Sequence, residues 1–121
     1  MPRARILVVD DAEDTRNLLR LQLSNAGYEV ETAEDAIAAG RRVLESPPHL
    51  LITDVQMPFM TGIELVAAMR GDGAVPDIPV IFLTASDDVD SQRGLLRAAA
   101  WLRKPVNGER LLQVVALQVP M

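Results

Sequence analysis

The sequence predicts a flavodoxin-like (βα)5 fold, in which a doubly wound parallel sheet of strand order 2-1-3-4-5 carries helices on both faces. Three observations lead there. Short apolar runs alternate along the chain with stretches of helical periodicity. Three of those runs, RILVVD (5–10), HLLITDV (49–55) and VIFLTA (80–85), are continuous and rich in β-branched residues, as expected of strands buried on both faces. Glycines and prolines fall between the runs, at Gly27, at Pro47-Pro48 and through GDGAVPDIP (71–79). Parallel strands need right-handed crossovers, which leaves few other topologies.

Taken in order, the first strand is 5–10. The stretch 12–27 places Leu18, Leu19, Leu21 and Leu23 at helical spacing and stops at Gly27. YEVETA (28–33) alternates as a strand does. Residues 34–46 read as a helix ended by Pro47-Pro48, which cannot continue it. The third strand is 49–55. A helix opens at Thr61 and runs to Gly71, and the fourth strand is 80–85. A fourth helix is expected over Asp88–Ala98, a fifth strand over 99–104, and a closing helix over 107–118 capped by Asn107. No internal repeat or low-complexity linker divides the chain. Residues 1–121 read as one domain with no output domain attached.

Composition removes several function classes. Net charge is −5, unlike a nucleic-acid or anionic-membrane surface. One Trp, one Tyr and two Phe are too few for a stacking platform. With no cysteine there is no disulfide framework, thiolate metal site or cysteine nucleophile. The single histidine, His49, excludes a His-rich metal cluster and sits at a strand start, where it reads as structural. The N-terminus lacks a signal-peptide pattern and no apolar stretch is long enough to span a membrane, so the expected location is cytoplasmic.

In a doubly wound sheet, ligands bind beyond the carboxyl ends of the strands. Those ends carry Asp10-Asp11, Asp54, Thr84-Ala85 and Lys104-Pro105. Each has a plain structural reading: an Asp pair caps a helix, Asp54 starts a turn, and Thr84 is a β-branched strand residue. Their convergence on one edge points to chemistry. Three carboxylates in a small crevice need a positive partner, and oxygen ligands suit a hard cation such as Mg²⁺. A carboxylate beside such an ion can act as a nucleophile toward phosphorus, with a hydroxyl and an ammonium neutralising phosphoryl oxygens. Lys104 is the only lysine among twelve basic residues, the others all being arginine. A compact ammonium and a planar guanidinium are not equivalent in a crowded site.

The motifs carrying these residues resemble those of response regulator receiver domains over essentially the whole chain. ILVVDD resembles the family's acidic pair, LLITDVQMPFMTGIEL its phosphorylation motif, VIFLTA its switch Thr-Ala, and WLRKP its Lys-Pro. The resemblance implies that Asp54 is the phosphoacceptor. It implies that Asp11 binds Mg²⁺ (or Mn²⁺) directly with support from Asp10, and that Asp54 and the Gln56 backbone carbonyl complete the protein ligands. It further implies that Thr84 and Lys104 engage the phosphoryl group, that Trp101 is the aromatic switch, that Lys104–Pro105 is cis, and that Gln56 and Ser86 tune hydrolysis. Trp101 also reads as an ordinary large residue on a sheet edge. Two departures stand out. The segment 84–104 is slightly short, and RAAA (97–100) replaces the usual Gly-Ala before the aromatic, so a short or irregular helix is expected there.

The leading expectation is a phosphorylation-driven switch, not an enzyme acting on a separate substrate. Its donor would be a histidine kinase or histidine phosphotransfer protein and its output an unidentified protein, with no nucleic acid or membrane bound by this domain, which would be a monomer or weak dimer. The alternative is a receiver-fold interaction module that works without phosphorylation. A haloacid-dehalogenase-like phosphatase would carry Asp-x-Asp where this chain has adjacent Asp10-Asp11, and a dinucleotide enzyme would carry Gly-x-Gly-x-x-Gly after the first strand.

Overall fold

The computed structural model describes residues 3–85 and 97–119. Within them run β1 (Arg5–Val9), α1 (Glu13–Asn25), β2 (Glu29–Ala33), α2 (Ala36–Glu45), β3 (Leu50–Asp54), α3 (Gly62–Arg70), β4 (Val80–Thr84), β5 (Ala100–Arg103) and α4 (Gly108–Gln118). The five strands form one parallel sheet in the order β2-β1-β3-β4-β5, the predicted topology.

β3 and β4 are buried at every position, as central strands are, and apart from Thr53, Asp54 and Thr84 their residues are apolar. Alternation along β1 sends Ile6 and Val8 to one face and Leu7 and Val9 to the other. On the first face they meet Leu19 and Leu23 of α1 and Leu111 and Val115 of α4. On the second they meet Ala39 and Val43 of α2 and Leu65 and Val66 of α3. Two largely aliphatic cores thus clamp the sheet, with Tyr28 buried in the first and Phe82 in the second.

Local chemistry sets the helix starts. Asp35, Thr61 and Asn107 each accept a hydrogen bond from a backbone N–H one turn on, at Ala38, Glu64 and Arg110. At α3, the Glu64 carboxylate also accepts from the Thr61 N–H, completing a capping box. Gly27 holds φ at 102°, the left-handed geometry that lets the chain turn from α1 into β2. The expected helix over Asp88–Ala98 falls mostly on residues 86–96, outside the described residues, while Arg97 and Ala98 are described and non-helical. His49 lies at the amino end of β3, where its Nδ1 accepts the Arg5 N–H at 2.9 Å and its own N–H donates to the Arg5 carbonyl. No helix among the described residues is long and apolar enough to cross a membrane.

Candidate functional site

Registry brings the strand ends together. Val9 pairs with Thr53, Asp54 with Leu83, and Thr84 with Arg103, so the carboxyl ends of β1, β3, β4 and β5 lie side by side. At that edge, oxygens of Asp10, Asp11 and Asp54 lie within 4.8 Å of one another. Asp10 is fully buried and Asp54 nearly so, whereas Asp11 is exposed. One Asp10 oxygen accepts the Ala12 N–H at 2.9 Å, which steers the chain from β1 into α1 and leaves Asp11 facing outward.

Lys104 ties the buried carboxylates together. Its Nζ lies 2.7 Å from Asp10 Oδ2 and 3.1 Å from Asp54 Oδ2, and its N–H donates to the Thr84 carbonyl at 2.8 Å. The Lys104–Pro105 peptide is cis. Burial pulls the ammonium pKa down, but hydrogen bonds to Asp10 and Asp54 and their negative charge outweigh that, leaving it above the ordinary 10.5. Lys104 is therefore charged at neutral pH. For Asp54 the balance falls the other way. Burial raises its pKa above the ordinary 3.8 and the nearby Asp10 charge adds to this, against the opposing pull of Lys104 and the Gln56 N–H. A carboxylate made more basic by burial is a better nucleophile once ionised.

With Lys104 charged and all three carboxylates ionised, the cluster has two surplus negative charges, the charge of one divalent cation. The donors are oxygens alone, one of them on an exposed residue with room for water, which fits Mg²⁺ or Mn²⁺. Asp10, Asp11 and Asp54 are the side chains that would hold it.

The remaining predicted residues divide. The Gln56 N–H donates to Asp54 Oδ1 at 3.3 Å, and its side-chain oxygen accepts from the buried Thr84 hydroxyl at 3.4 Å. Trp101 is half-buried on β5 directly opposite Phe82 of β4, with ring centroids 4.4 Å apart. It packs on the α2/α3 side of the sheet, away from the carboxylates. Ser86 lies outside the described residues.

The structure adds residues that the sequence did not single out. Arg16, one turn into α1, donates through Nη1 to the Asp10 carbonyl at 2.8 Å. Gly62 begins α3 against the Asp54 carbonyl so closely that a Cβ there would collide with it, and its N–H donates to Val55. Phe59 sits at φ 71° in a three-residue turn closed by the Met60 N–H on the Pro58 carbonyl, and the residue is 92% exposed. The glycine of the phosphorylation motif signals the Gly62 approach, but nothing in residue type alone signals the other two.

Fold and site together define a class: a 2-1-3-4-5 sheet with three carboxylates and one lysine at its carboxyl edge is the architecture of a receiver. The sequence profile of the response regulator receiver domain matches residues 6–116, and the chain belongs to that family. It is 42% identical over 110 residues to the response regulator MprA of Mycobacterium tuberculosis, covering 89% of this chain and 47% of that protein. The chain thus spans about half the length of the curated relatives it matches. Among solved structures it resembles the chemotaxis protein CheY4 of Vibrio cholerae, with TM-score 0.87 and 35% identity over 97% of this chain and 99% of that one. It also resembles the response regulator TrrA of Thermotoga maritima, solved in complex with Mg²⁺ and BeF, with TM-score 0.86 and 32% identity over 96% and 99% of the two chains.

Proposed function

We propose that this receiver is a phosphorylation-driven switch that takes a phosphoryl group onto Asp54 from a histidine kinase or histidine phosphotransfer protein. The observation that carries the reading is the nearly buried Asp54 carboxylate, held beside two further carboxylates and paired with the only lysine of the chain. An Asp54 oxygen attacks phosphorus and forms an O–P bond. The P–N bond to the donor histidine breaks, and the imidazole nitrogen keeps its electron pair. Hydrolysis later returns the Asp54 carboxylate and inorganic phosphate. Mg²⁺, held by Asp10, Asp11 and Asp54, would neutralise charge on the phosphoryl oxygens. Lys104 supplies a second positive charge 3.1 Å from Asp54 Oδ2, already in place before any phosphoryl arrives.

Once Asp54 carries the phosphoryl group, the Thr84 hydroxyl turns to donate to it. Trp101, across from Phe82 on the neighbouring strand, responds as β4 shifts. The rearranged surface then binds a downstream protein. That TrrA was solved with Mg²⁺ and BeF supports the same ligands here.

The test is intact-mass analysis after incubation with acetyl phosphate or phosphoramidate and Mg²⁺. One added phosphoryl group is expected on the wild type and none on Asp54→Asn. A wild type that no donor labels would favour a binding module that works without phosphorylation.

A further inference from the structure

α1 starts without a side-chain cap. Its N-cap is Ala12, which offers no oxygen to the first turn, as Asp35, Thr61 and Asn107 do for α2, α3 and α4. Residues 10–12, between β1 and α1, belong to neither element. Their path is set by bonds to Asp10. Its N–H donates to the Ala33 carbonyl of β2, its Oδ1 accepts the Ala12 N–H, and its Oδ2 meets Lys104 Nζ. Its carbonyl accepts from Arg16 Nη1 at 2.8 Å. Arg16 is itself anchored, because its backbone N–H donates to the Ala12 carbonyl.

Asp11 is exposed, so burial does nothing to fix its carboxylate, yet one of its oxygens lies within 4.8 Å of oxygens of Asp10 and Asp54. The Asp10 carbonyl and the Asp11 N–H belong to one rigid peptide plane. A grip on that carbonyl fixes the plane from which Asp11 departs. Were the plane free to rotate, the Asp11 carboxylate would swing out of the cluster while Lys104 kept the Asp10 carboxylate in place. We infer that Arg16 is a positioning residue for the cation site, which it serves by holding the Asp10–Asp11 peptide so that all three carboxylates converge. This rests on the Mg²⁺ site proposed above and adds the residue behind its exposed ligand. The expected sign separates positioning from plain electrostatics. A guanidinium near a cation repels it, so loss of its charge alone would tighten binding. Loss of a group that orients a ligand loosens binding, by about tenfold or more.

The test is Arg16→Met, which keeps a good helix former and removes both charge and donor. Mn²⁺ binding is read from the electron paramagnetic resonance signal of the free ion, and Mg²⁺ binding by competition. Both Kd values should weaken about tenfold. An unchanged or tighter Kd overturns the role. A wild type that binds neither ion sinks the metal site itself, which separates the two failures. A second measurement needs no metal. The three-bond coupling between the amide and α protons of Asp11 reports its φ, and in metal-free Arg16→Met it should move toward the average of a mobile residue. An identical coupling overturns the role. Amide exchange along α1 should stay at wild-type rates, and faster exchange through the whole helix would make Arg16 a support of α1 instead of Asp11, which equally overturns it.

Discussion

Replacing Lys104 by methionine keeps the length of the side chain and removes its charge. In the folded protein this strands two carboxylates: Asp10 is fully buried, the Asp54 side chain is 6% exposed, and both lie within 3.1 Å of the lost ammonium. Breaking a buried ion pair from one side costs about 3–5 kcal/mol. The Lys104 side chain keeps 22% exposure, so water softens the loss and the lower bound applies, about 3 kcal/mol. That is a large share of the roughly 5–15 kcal/mol that holds an ordinary domain together. Urea denaturation at neutral pH with EDTA should show the midpoint falling by about 1.5 M at a typical slope. Saturating Mg²⁺ should then narrow the gap between the proteins, because a divalent cation on the three carboxylates takes over the neutralisation. At about a hundredfold above Kd the metal contributes roughly 2.7 kcal/mol, and more to the variant, where no ammonium competes with it. The pH arm has a definite sign. The folded pKa of Lys104 is raised, so its stabilisation is complete below the unfolded value of about 10.5 and is lost as pH rises through the folded value. The gap between wild type and variant should hold level to about pH 10 and close above it. A loss below about 1 kcal/mol, or a gap indifferent to Mg²⁺, would refute the view that Lys104 and a metal share the work of neutralising this cluster.

Three further outcomes follow from individual residues. Asp54→Asn should stabilise the metal-free protein at neutral pH: a raised carboxyl pKa means that stability is fullest below about 3.8 and falls as pH rises through the folded value, so the gain should vanish in acid and is checked by denaturation at stepped pH. Gly40→Ala should add about 0.5–1 kcal/mol by thermal or urea unfolding, since a Cβ there meets nothing within 4 Å inside α2. Phe59→Gly should add about 1 kcal/mol by relieving a positive φ and should leave labelling by small phosphodonors intact.

Legibility in the sequence followed how local the cause was. The buried strands β1, β3 and β4 were plain because a parallel strand covered on both faces must be apolar throughout, and RILVV, LLITD and VIFLT are nearly so. Alternation of strands and helices with right-handed crossovers narrowed the topology to the doubly wound class, with 2-1-3-4-5 the usual order for five strands, which the sheet has. The cap at Asn107 was plain from residue type, while the one at Asp35 needed the structure to choose between neighbouring acids at 34 and 35. The acidic cluster could be found because every member ends a strand, and the sheet supplies the third dimension. Gln56 and Arg16 were harder. The motif placed Gln56 near the phosphorylation position, but its bond to Thr84 depends on a side-chain direction that no spacing encodes. Arg16 looks like any exposed helix arginine until the α1 turn brings it over the Asp10 carbonyl. Trp101 had two readings, and its stack on Phe82 gives the ring a packed resting position from which a switch would have to move it.

The central claim is that Asp54 itself carries the phosphoryl group, and trapping the acyl phosphate tests it at the residue. Protein treated with acetyl phosphate and Mg²⁺ is reduced with borohydride, which converts an aspartyl phosphate to homoserine, and the peptides are sequenced by mass spectrometry. Homoserine is expected at position 54 alone, dependent on Mg²⁺ and absent when EDTA replaces it. Homoserine at Asp10 or Asp11 with Asp54 unchanged, or labelling indifferent to the metal, would contradict it.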